Sequence, residues 1–415
     1  MNEGWQRRQL GDIATLSGRI GWRGLTAKEY TREGPWFLSV HSLNHGDYVD
    51  FQEAFHISQV RFDESPEIVL RKGDVLICKD GAGIGKLGIV GELPGPATIN
   101  SSLLLIRAGE HLRPKFLYYC LCSPYFQQIV QSRLNGATTP HLYQRDITEF
   151  PVVVPPLAEQ RRIVAILDDA FDGIAIATAN AEKNLQNART LFDSKLEALF
   201  EQGRGTGWPQ RTLREIALDF GRGKSKHRPR NDPKLYGGPY PFIQTGDVRN
   251  AEHLITEYTQ TYSEAGLSQS KLWPKGTLCI TIAANIAETG VLGFDACFPD
   301  SLIGVVVDDA KTTSKYLEYM LHTVKAALKA KGKGSAQDNI NLATFENERF
   351  PFPDLTTQAS MVGLLDELSS EVQRLEGVYS MKLVALDELK KSLLHQAFTG
   401  ALTAKSTDKQ VAEVA

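Results

Sequence analysis

The sequence contains few cysteines and no long hydrophobic run. Its five cysteines are scattered and odd in number, which favours a reducing compartment over a disulfide framework. They also lack the paired Cys or His spacing of a zinc site. No run of about 18 apolar residues occurs, and the first residues carry no apolar stretch typical of a secretory signal. We therefore expect a cytoplasmic protein with neither a membrane span nor a metal site.

The sequence also lacks the motifs of several enzyme classes. Its nine histidines show neither an HExxH pattern nor a paired metal spacing, and no Gly-x-Ser-x-Gly elbow is present. A DNA methyltransferase would need an Asn/Asp-Pro-Pro-Tyr/Phe stretch to hold a flipped base, whereas the Pro-Pro pair at 155–156 is followed by Leu157. We therefore expect no catalytic site in this chain.

One stretch resembles a nucleotide-binding motif. Gly-Ile-Gly-Lys-Leu-Gly at 83–88 fits a dinucleotide fingerprint, and the apolar residues before it could form a strand. However, Pro94 and Pro96 stand where the fingerprint requires a long helix. The stretch is therefore interpreted as a Gly-rich turn between strands.

The length and the charge leave the partner open. A chain of 415 residues suits two or three domains, and a net charge of −3 gives no general sign of a nucleic-acid partner. Any such partner would need a local basic surface. The clearest basic run lies among Gly and Pro, hence on a loop, and comprises Arg222, Lys224, Lys226, His227, Arg228 and Arg230.

The chain repeats itself with a step of about 200 residues. WQRRQLGDIA at 5–14 returns as WPQRTLREIA at 208–217, and PKFLYYCL at 114–121 returns as SKYLEYML at 314–321. In the same order, KGDVLI returns as KGTLCI, Gln160 is matched by Gln358 and Phe200 by Phe398. Because these landmarks keep their order and include rare aromatic residues, they indicate the duplication of one unit.

Each copy has two unlike parts. The first part is rich in Gly, Pro and short apolar runs, which predict buried strands at 75–77, 103–106, 278–280 and 305–307. Helices are predicted in the same parts at 114–133 and 314–330. The second part has no Pro and almost no Gly, and it predicts one long helix per copy, at 157–202 and 355–400.

The long helices carry apolar stripes with a mean step near 3.5, the period of a coiled coil. In the first copy the stripe includes Ile163, Leu167, Ala170, Ile174, Ala177, Ala181, Ala188, Phe192, Leu196 and Leu199. In the second copy it includes Leu365, Leu368, Val372, Leu375, Tyr379, Leu386, Leu389 and Leu393. Each stripe could cover only its own domain, but about 45 helical residues span roughly 65 Å, which favours mutual packing.

Three motifs carry a resemblance to a known family. They are VPPLAEQRRIVAILD at 154–168, its weaker echo PDLTTQASMVGLLD at 353–366, and GSAQDNIN at 334–341. Together with the repeat, they make residues 5–402 resemble the specificity subunits of type I restriction–modification systems. The first copy departs from the pattern, since its loop at 136–143 reads GATTPHLY, without Gln or Asn. The second copy has Thr357 where the first has Glu159.

The resemblance implies an α+β fold. Two β-rich mixed target-recognition domains, related by the internal repeat, would be joined by two long helices packed as an antiparallel coiled coil. The implied divisions are recognition domains at 1–156 and 203–353, spacer helices at 157–202 and 354–402, and a disordered tail at 403–415.

The resemblance also implies a function and partners. Each recognition domain would read one half of a bipartite site on double-stranded DNA, and the spacer would set the gap and dock two modification (methyltransferase) subunits. Restriction subunits with ATP-dependent translocase and nuclease activity would complete the complex. The chain itself would bind no cofactor, whereas S-adenosylmethionine, ATP and Mg would bind in the partner subunits.

DNA contact requires bidentate donors for guanine, amides for adenine and positive charge for phosphates. In the first domain the polar loop candidates are Arg19, Arg23, Lys28, His41, Asn44, Lys79, Thr138, Thr139, His141 and Arg145. In the second domain they are Arg222, Lys224, Lys226, Arg228, Arg230, Gln244, Arg249, Asn285, Lys333, Gln337, Asn339 and Asn341.

Two other functions remain open from the sequence. One is a coiled-coil adaptor that joins two protein-binding β domains, and the other is a self-contained DNA-modifying enzyme. Loops rich in Arg, Asn and Gln argue against the adaptor, because they suit a nucleic-acid surface better.

Overall fold

The computed structural model describes residues 4–19, 25–134, 140–205, 207–226, 229–283, 287–332 and 342–404, with the backbone alone at 82, 204, 326–332 and 342–344. Its internal contacts divide the chain into two compact units. Unit 1 comprises Met1–Glu182 and Met381–Ala415, and unit 2 comprises Lys183–Ser380. The division falls inside both long helices, so each unit holds one β-rich part and portions of both helices.

In unit 1 the described strands form three sheets. The strands are β1 (Gln6–Gln9), β2 (Ala14–Gly18), β3 (Tyr30–Leu38), β4 (Phe55–Ile57), β5 (Val75–Cys78), β6 (Leu87–Ile89), β7 (Ala97–Ile99), β8 (Leu103–Ala108) and β9 (Pro151–Val154). An antiparallel sheet has the order β2-β8-β5-β6, and a mixed sheet has the order β4-β3-β7, with β3 parallel to β7. Strands β1 and β9 form an antiparallel pair.

Short helices connect these strands, and a long helix leaves the unit. The helices are α1 (Leu10–Ile13), α2 (Gln59–Asp63), α3 (Pro114–Cys122), α4 (Pro124–Leu134), α5 (Gln144–Thr148) and α6 (Leu157–Gly205), with 3-10 turns at Ala27–Glu29, Val40–Leu43, Pro66–Ile68 and Gly81–Gly83. The single helix predicted at 114–133 is two helices that break at Ser123, because Pro124 cannot donate a backbone hydrogen bond and begins a new helix.

The antiparallel sheet of unit 1 is buried on both faces. Along β5, Val75 and Ile77 join one apolar core with α3 and α6, while Leu76 and Cys78 join a second core beneath the mixed sheet. Strand β8 alternates in the same way. A strand that is covered on both sides needs apolar residues at consecutive positions, which explains the short unbroken apolar runs in the sequence.

Unit 2 contains a second set of elements. Its strands are β10 (Gln210–Arg211), β11 (Ala217–Arg222), β12 (Tyr236–Phe242), β13 (Leu254–Ile255), β14 (Gln260–Tyr262), β15 (Leu272–Trp273), β16 (Leu278–Thr281), β17 (Thr289–Leu292), β18 (Ala296–Cys297), β19 (Leu302–Val307) and β20 (Phe350–Pro351). Its helices are α7 (Thr245–Asn250), α8 (Glu264–Ser268), α9 (Ser314–Gly332), α10 (Leu342–Asn347) and α11 (Leu355–Thr399), with a 3-10 turn at Pro233–Leu235.

The strand order of unit 2 repeats that of unit 1. The order β11-β19-β16-β17 matches β2-β8-β5-β6, and the order β14-β12-β18 matches β4-β3-β7. The pair β10-β20 matches β1-β9, while β13 and β15 extend the two larger sheets of unit 2. The α+β class and the internal repeat predicted from the sequence are therefore confirmed.

In unit 1 the first part of α6 packs against the last part of α11. Ile163 and Leu167 lie in one core with Leu394, and the ammonium of Lys390 lies 4.9 Å from the centre of the Phe171 ring. Along this contact the residue numbers rise on α6 and fall on α11, as an antiparallel pair requires.

In unit 2 the other portions of the same helices meet. Leu196 and Phe200 of α6 share a core with Leu365 of α11, and the guanidinium of Arg189 donates to Glu376 at 2.5 Å. The residue numbers again run in opposite directions.

The stripe predicted from the sequence differs in detail from the observed one. Leu389 is 46% exposed although its spacing predicts a seam position, and Leu394 and Ala397 are buried in its place. On α6, Phe171 is buried and its neighbour Ala170 is half-buried. A straight helix of 3.6 residues per turn drifts by about 20° per heptad from a strict seven-residue repeat, so a stripe extended by spacing alone departs from the buried face.

A buried glutamine fixes the start of each long helix. In unit 1 the Gln160 side chain is fully buried; its Oε1 accepts from the Arg113 amide at 2.8 Å, and its Nε2 donates to the His111 and Pro155 carbonyls at 2.7 and 2.9 Å. The side chain thus satisfies backbone groups of the loop before α3 and of the turn after β9, and it links both to α6.

The second copy has a glutamine with equivalent hydrogen bonds at the start of α11. In unit 2 the Nε2 of Gln358 donates to the Lys311 and Pro353 carbonyls at 2.9 and 2.8 Å, and its Oε1 accepts from the Thr312 hydroxyl at 2.8 Å. The matching glutamines of the sequence repeat are therefore matching structural contacts.

We predict that Gln160→Leu destabilises unit 1 by about 2 to 4 kcal/mol, because it leaves buried backbone groups without partners. Urea unfolding measures the loss, and amide hydrogen exchange at Arg113 reports whether the contact itself is the cause. Gln186→Leu is the matched control, since Gln186 is exposed on the same helix. Equal losses in the two variants would contradict the assignment.

Candidate nucleic-acid interface

The turn between β5 and β6 forms the centre of a polar loop surface in unit 1. The backbone amides of Cys78 and Gly85 close this turn, with hydrogen bonds of 2.8 Å to the Lys86 and Cys78 carbonyls. The ammonium of Lys86 donates to the Asn44 side chain at 2.6 Å. The 3-10 turn that carries the exposed His41 packs close by, since a Cβ on Gly83 would lie 2.4 Å from the Val40 side chain.

Residues 140–145 join this surface from a distant part of the sequence. The Leu142 amide donates to the Lys79 carbonyl at 2.9 Å, and the His141 ring contacts the Asp80 carboxylate. The guanidinium of Arg145 lies 5.5 Å from the centre of the Tyr143 ring. The structure therefore groups five sequence candidates, namely His41, Asn44, Lys79, His141 and Arg145.

Two other candidates of unit 1 have different neighbours. Arg19 is half-buried against α2 and β3, where it donates to the Arg61 carbonyl at 3.3 Å and its guanidinium lies 6.0 Å from the Phe37 ring. Burial, followed by the nearby charge of Arg61, lowers the pKa of Arg19. Lys28 is exposed on the 3-10 turn that follows Thr26.

In unit 2 the basic loop after β11 is organised by one carboxylate. Arg230 donates twice to the Asp300 carboxylate, at 2.9 and 3.0 Å, and Arg222 donates to the Asp300 carbonyl at 2.8 Å. Lys224 and Lys226 are exposed between these two arginines. Asp300 therefore holds an arginine at either end of this basic run, while the side chains of Lys224 and Lys226 face solvent.

A cavity of about 300 Å³ lies beside this loop within unit 2. Its lining includes Arg230, Asn231, Gln244 and Gln260, and the Tyr236 ring forms part of its wall. Amide and guanidinium groups around one opening are the donors and acceptors that can contact base edges. The structure therefore brings Gln244 to the basic loop, although it lies 14 positions after Arg230 in the sequence.

Arg249 lies in a different cavity of unit 2. This cavity, of about 330 Å³, is lined by α7, α9 and both long helices and includes His253 and Glu318. The remaining nine candidates, Arg23, Thr138, Thr139, Arg228, Asn285, Lys333, Gln337, Asn339 and Asn341, lie outside the described residues, as does the motif at 334–341.

The Gly-rich stretch at 83–88 is a turn and not a nucleotide site. It leads directly into strand β6, whereas a dinucleotide fingerprint opens a helix. Burial raises the pKa of the Cys120 and Cys122 thiols to about 12, so both remain protonated at neutral pH. Across the described residues, no group of three or more His, Cys, Asp or Glu is placed to hold a metal ion.

A profile of the type I restriction modification DNA specificity domain matches residues 2–187 and 206–378. The chain belongs to this family. Members are the non-catalytic specificity subunits of type I restriction–modification systems, so the chain is not an enzyme by itself. Among its described helices, none has the length and apolarity to cross a membrane.

Relatives of this specificity family match along almost the whole chain. The StySPI specificity subunit of Salmonella potsdam is 20% identical over 438 residues, which cover 97% of this chain and 90% of the relative. The EcoKI specificity subunit of Escherichia coli is 20% identical, with coverage of 97% and 90%.

Two solved structures share the fold. A chain from work on complex assembly and conformational transition of the type I R-M system has a TM-score of 0.80 and 22% identity, with 97% of this chain and 99% of that chain covered. The HsdS subunit from Thermoanaerobacter tengcongensis has a TM-score of 0.59 and 20% identity, with coverage of 96% and 98%.

Sequence reasoning missed several residues of the polar surfaces. Lys86 was visible in the Gly-rich stretch, where a cation in a turn between strands is a signal for phosphate contact. Asp80 and Asp300 gave no such signal, because their partners His141 and Arg230 lie 61 and 70 residues away in the sequence.

We predict that Gly85→Ala destabilises the β5–β6 turn by about 2 to 4 kcal/mol, because the substitution adds a clash to backbone strain. Gly85 has a φ of +82°, and its Cβ would lie 2.5 Å from Val130. Gly81→Ala, in the same turn with a φ of +77° and open space around its Cβ, should lose only about 1 kcal/mol. Thermal or urea unfolding compares them, and equal losses would exclude the clash.

Proposed function

We propose that the two β-rich parts each read one half of a two-part DNA sequence and that the paired long helices set the gap between the halves. The repetition of one strand order, with a distinct polar loop surface on each copy, is the observation that supports this proposal. A duplex with two half-sites requires two readers at a fixed separation and phase, since one helical turn is about 34 Å.

The polar surface of unit 1 suits DNA through two kinds of contact. Lys86, His41 and Arg145 supply exposed cationic or donor groups for phosphates. The neighbouring Asp80 and His141 can offer an acceptor and a donor to base edges, and a carboxylate pairs with the amino group of cytosine. The absence of Gln and Asn at 136–143 is consistent with a first half-site that is read by a different chemistry from the second.

In unit 2 the basic loop would approach the backbone while the adjoining cavity faces the bases. Lys224 and Lys226 supply exposed charge. Asp300 already holds Arg222 and Arg230 in place, so these arginines would lose less side-chain entropy on binding DNA than unpaired arginines would. Gln244 at the cavity offers an amide suited to adenine.

The long helices would dock two modification subunits. Exposed apolar side chains on them are suited to a protein partner, namely Ile176, Met381 and Val384 in unit 1 and Leu191, Leu364 and Val378 in unit 2. S-adenosylmethionine, ATP and Mg would bind in the modification and restriction subunits, and the assembled complex would act in the cytoplasm. Family membership favours this function over a protein-binding adaptor and over a self-contained enzyme.

The first test is co-expression with the modification subunit, followed by sequencing of methylated DNA. We expect a motif with two separated half-sites. Replacement of residues 208–353 by the matching segment of a relative should change one half alone. A methylated motif without a gap, or a change in both halves, would overturn the proposal.

The second test removes one cation from the polar surface of unit 1. Lys86→Ala should reduce the slope of log affinity against log salt by about 0.9, the effect of one lost phosphate contact. Lys72→Ala is the matched control, because Lys72 is exposed and pairs with Glu92 away from this surface. An unchanged slope in Lys86→Ala would remove Lys86 from the interface.

A further inference from the structure

A histidine and a nearly buried glutamate connect the segment 244–253 of unit 2, which contains Gln244 and α7, to α9. The Nδ1 of His253 lies 3.0 Å from Oε2 of Glu318, and the Glu318 residue is only 5% exposed. The Thr289 hydroxyl lies 3.5 Å from Oε1 of Glu318. A buried carboxylate is stable when a cation compensates for its lost hydration, so the charge of His253 matters for this contact.

The contact lies within a chain of interactions that ends on the long helix. One residue after Glu318, Tyr319 donates to Asp366 of α11 at 2.7 Å, and Lys315 donates to the same carboxylate at 2.7 Å. On the other side, His253 lies three positions after Asn250, the last residue of α7, and α7 begins after Gln244. The contact between His253 and Glu318 therefore links the segment that contains Gln244 with α9, and α9 in turn contacts α11.

Unit 1 has the same arrangement with different chemistry. Asp47 occupies the place of His253, since the Asp47 and His253 carbonyls accept from Ile89 and Val291, matching residues of β6 and β17. The Asp47 carboxylate accepts from the Tyr118 hydroxyl at 2.9 Å and lies 3.4 Å from the Lys115 ammonium.

The donors of unit 1 hold their protons at neutral pH. Burial raises the pKa of Tyr118 above its ordinary value of 10.0. Burial alone would lower the pKa of Lys115, but the charges of Asp47 and Asp168 outweigh it, and the pKa lies above 10.5. Tyr118 and Lys115 therefore keep their protons through the range in which a histidine titrates.

The charges around His253 come from every element packed against it. On α9 these are Glu318, Lys315, His322 and Lys325. Lys315 is paired with Asp366 of α11, and Lys325 with Glu288 before β17.

Three further groups face the same cavity. Glu376 of α11 is paired with Arg189 of α6, and Arg249 and Glu252 belong to the segment of His253 itself. Desolvation, followed by the charge of Lys325, lowers the pKa of His322 below its ordinary value, so a rise in pH does not add charge there. Glu318 is therefore the carboxylate in direct contact with the imidazole.

The hydrogen bond to Glu318 raises the pKa of His253, against the opposing effect of burial. Because the folded-state pKa lies above the ordinary value of 6.5, the pair stabilises unit 2 fully below that value. The contribution is lost as the pH rises through the folded-state pKa.

We propose that His253 and Glu318 are positioning residues for the half-site that unit 2 reads. Recognition of that half-site then depends on protonation of the His253 imidazole, whereas recognition by unit 1 does not. This inference rests on the proposed function. Deprotonation of His253 leaves the Glu318 carboxylate without its cation. The contact between α9 and the segment that follows α7 is then weaker, so α7 is held less firmly against α9. Gln244 is then held less firmly over its base, so discrimination in that half-site falls as the pH rises.

The test uses the chain assembled with its modification subunits. Methylation rates are compared at the full site and at sites with single mismatches in either half, from about pH 6 to about pH 8. We expect discrimination in the half read by residues 208–353 to fall several-fold as the pH rises, with little change in the other half. His253→Gln should abolish this pH dependence and give the low discrimination at every pH.

Controls separate the positioning role from general effects. His45→Gln, which removes an exposed histidine 3.7 Å from Glu53 in unit 1, should leave both profiles unchanged. Equal pH dependence in both halves, or its survival in His253→Gln, would overturn the proposal.

A separate measurement does not depend on DNA. The imidazole of His253 is titrated by NMR in the full chain, and Glu318→Gln should lower its pKa. An unchanged pKa would overturn the pairing even where two half-sites are methylated. If the pKa falls but the methylated motif is not bipartite, the proposed function fails, and the positioning role fails with it.

Discussion

The direction of each long helix depends on one buried amide. After strands β9 and β20 the chain turns at prolines and must begin a helix against the loop that precedes α3 or α9. Gln160 and Gln358 supply the hydrogen bonds that this junction would otherwise lack. In each copy the amide oxygen accepts one hydrogen bond and the amide nitrogen donates two. An apolar residue there would leave buried backbone groups unpaired, so the junction tolerates few side chains.

A second contact on each long helix, made by an aspartate eight residues after the buried glutamine, completes this constraint. Asp168 accepts from Tyr119 and lies 3.6 Å from Lys115, and Asp366 is held in the same way by α9. Two fixed points on one helix define both its position and its rotation relative to the sheets of the same unit. A specificity subunit whose readers must keep a set phase on DNA requires that kind of attachment, because a rotation at the junction would move every loop of the reader.

Residue spacing predicted the parts of the fold that depend on local pattern. The repeat predicted two copies of one strand order, and the absence of Pro predicted long helices from residues 157 and 355, where α6 and α11 begin. The exposure of Leu389 and the break at Ser123 were not predicted, since both depend on packing and on one proline rather than on average period. The polar surfaces were predicted only in part, because Asp80 and His141 are 61 residues apart and meet through the tertiary fold.

The two copies keep the residues that hold the long helices and differ in the residues of the polar loops. Glutamine, aspartate, tyrosine and lysine persist where a buried group or an ion pair fixes the helix. Equivalent loop positions differ: Gly85 and Ala287 both donate to the last carbonyl of the preceding strand with positive φ, although only glycine adopts that conformation without strain. Such differences show that the frame constrains the backbone and leaves the loop side chains free to vary. Two readers built on one frame can then recognise different half-sites, which a single rigid recognition surface used twice could not do.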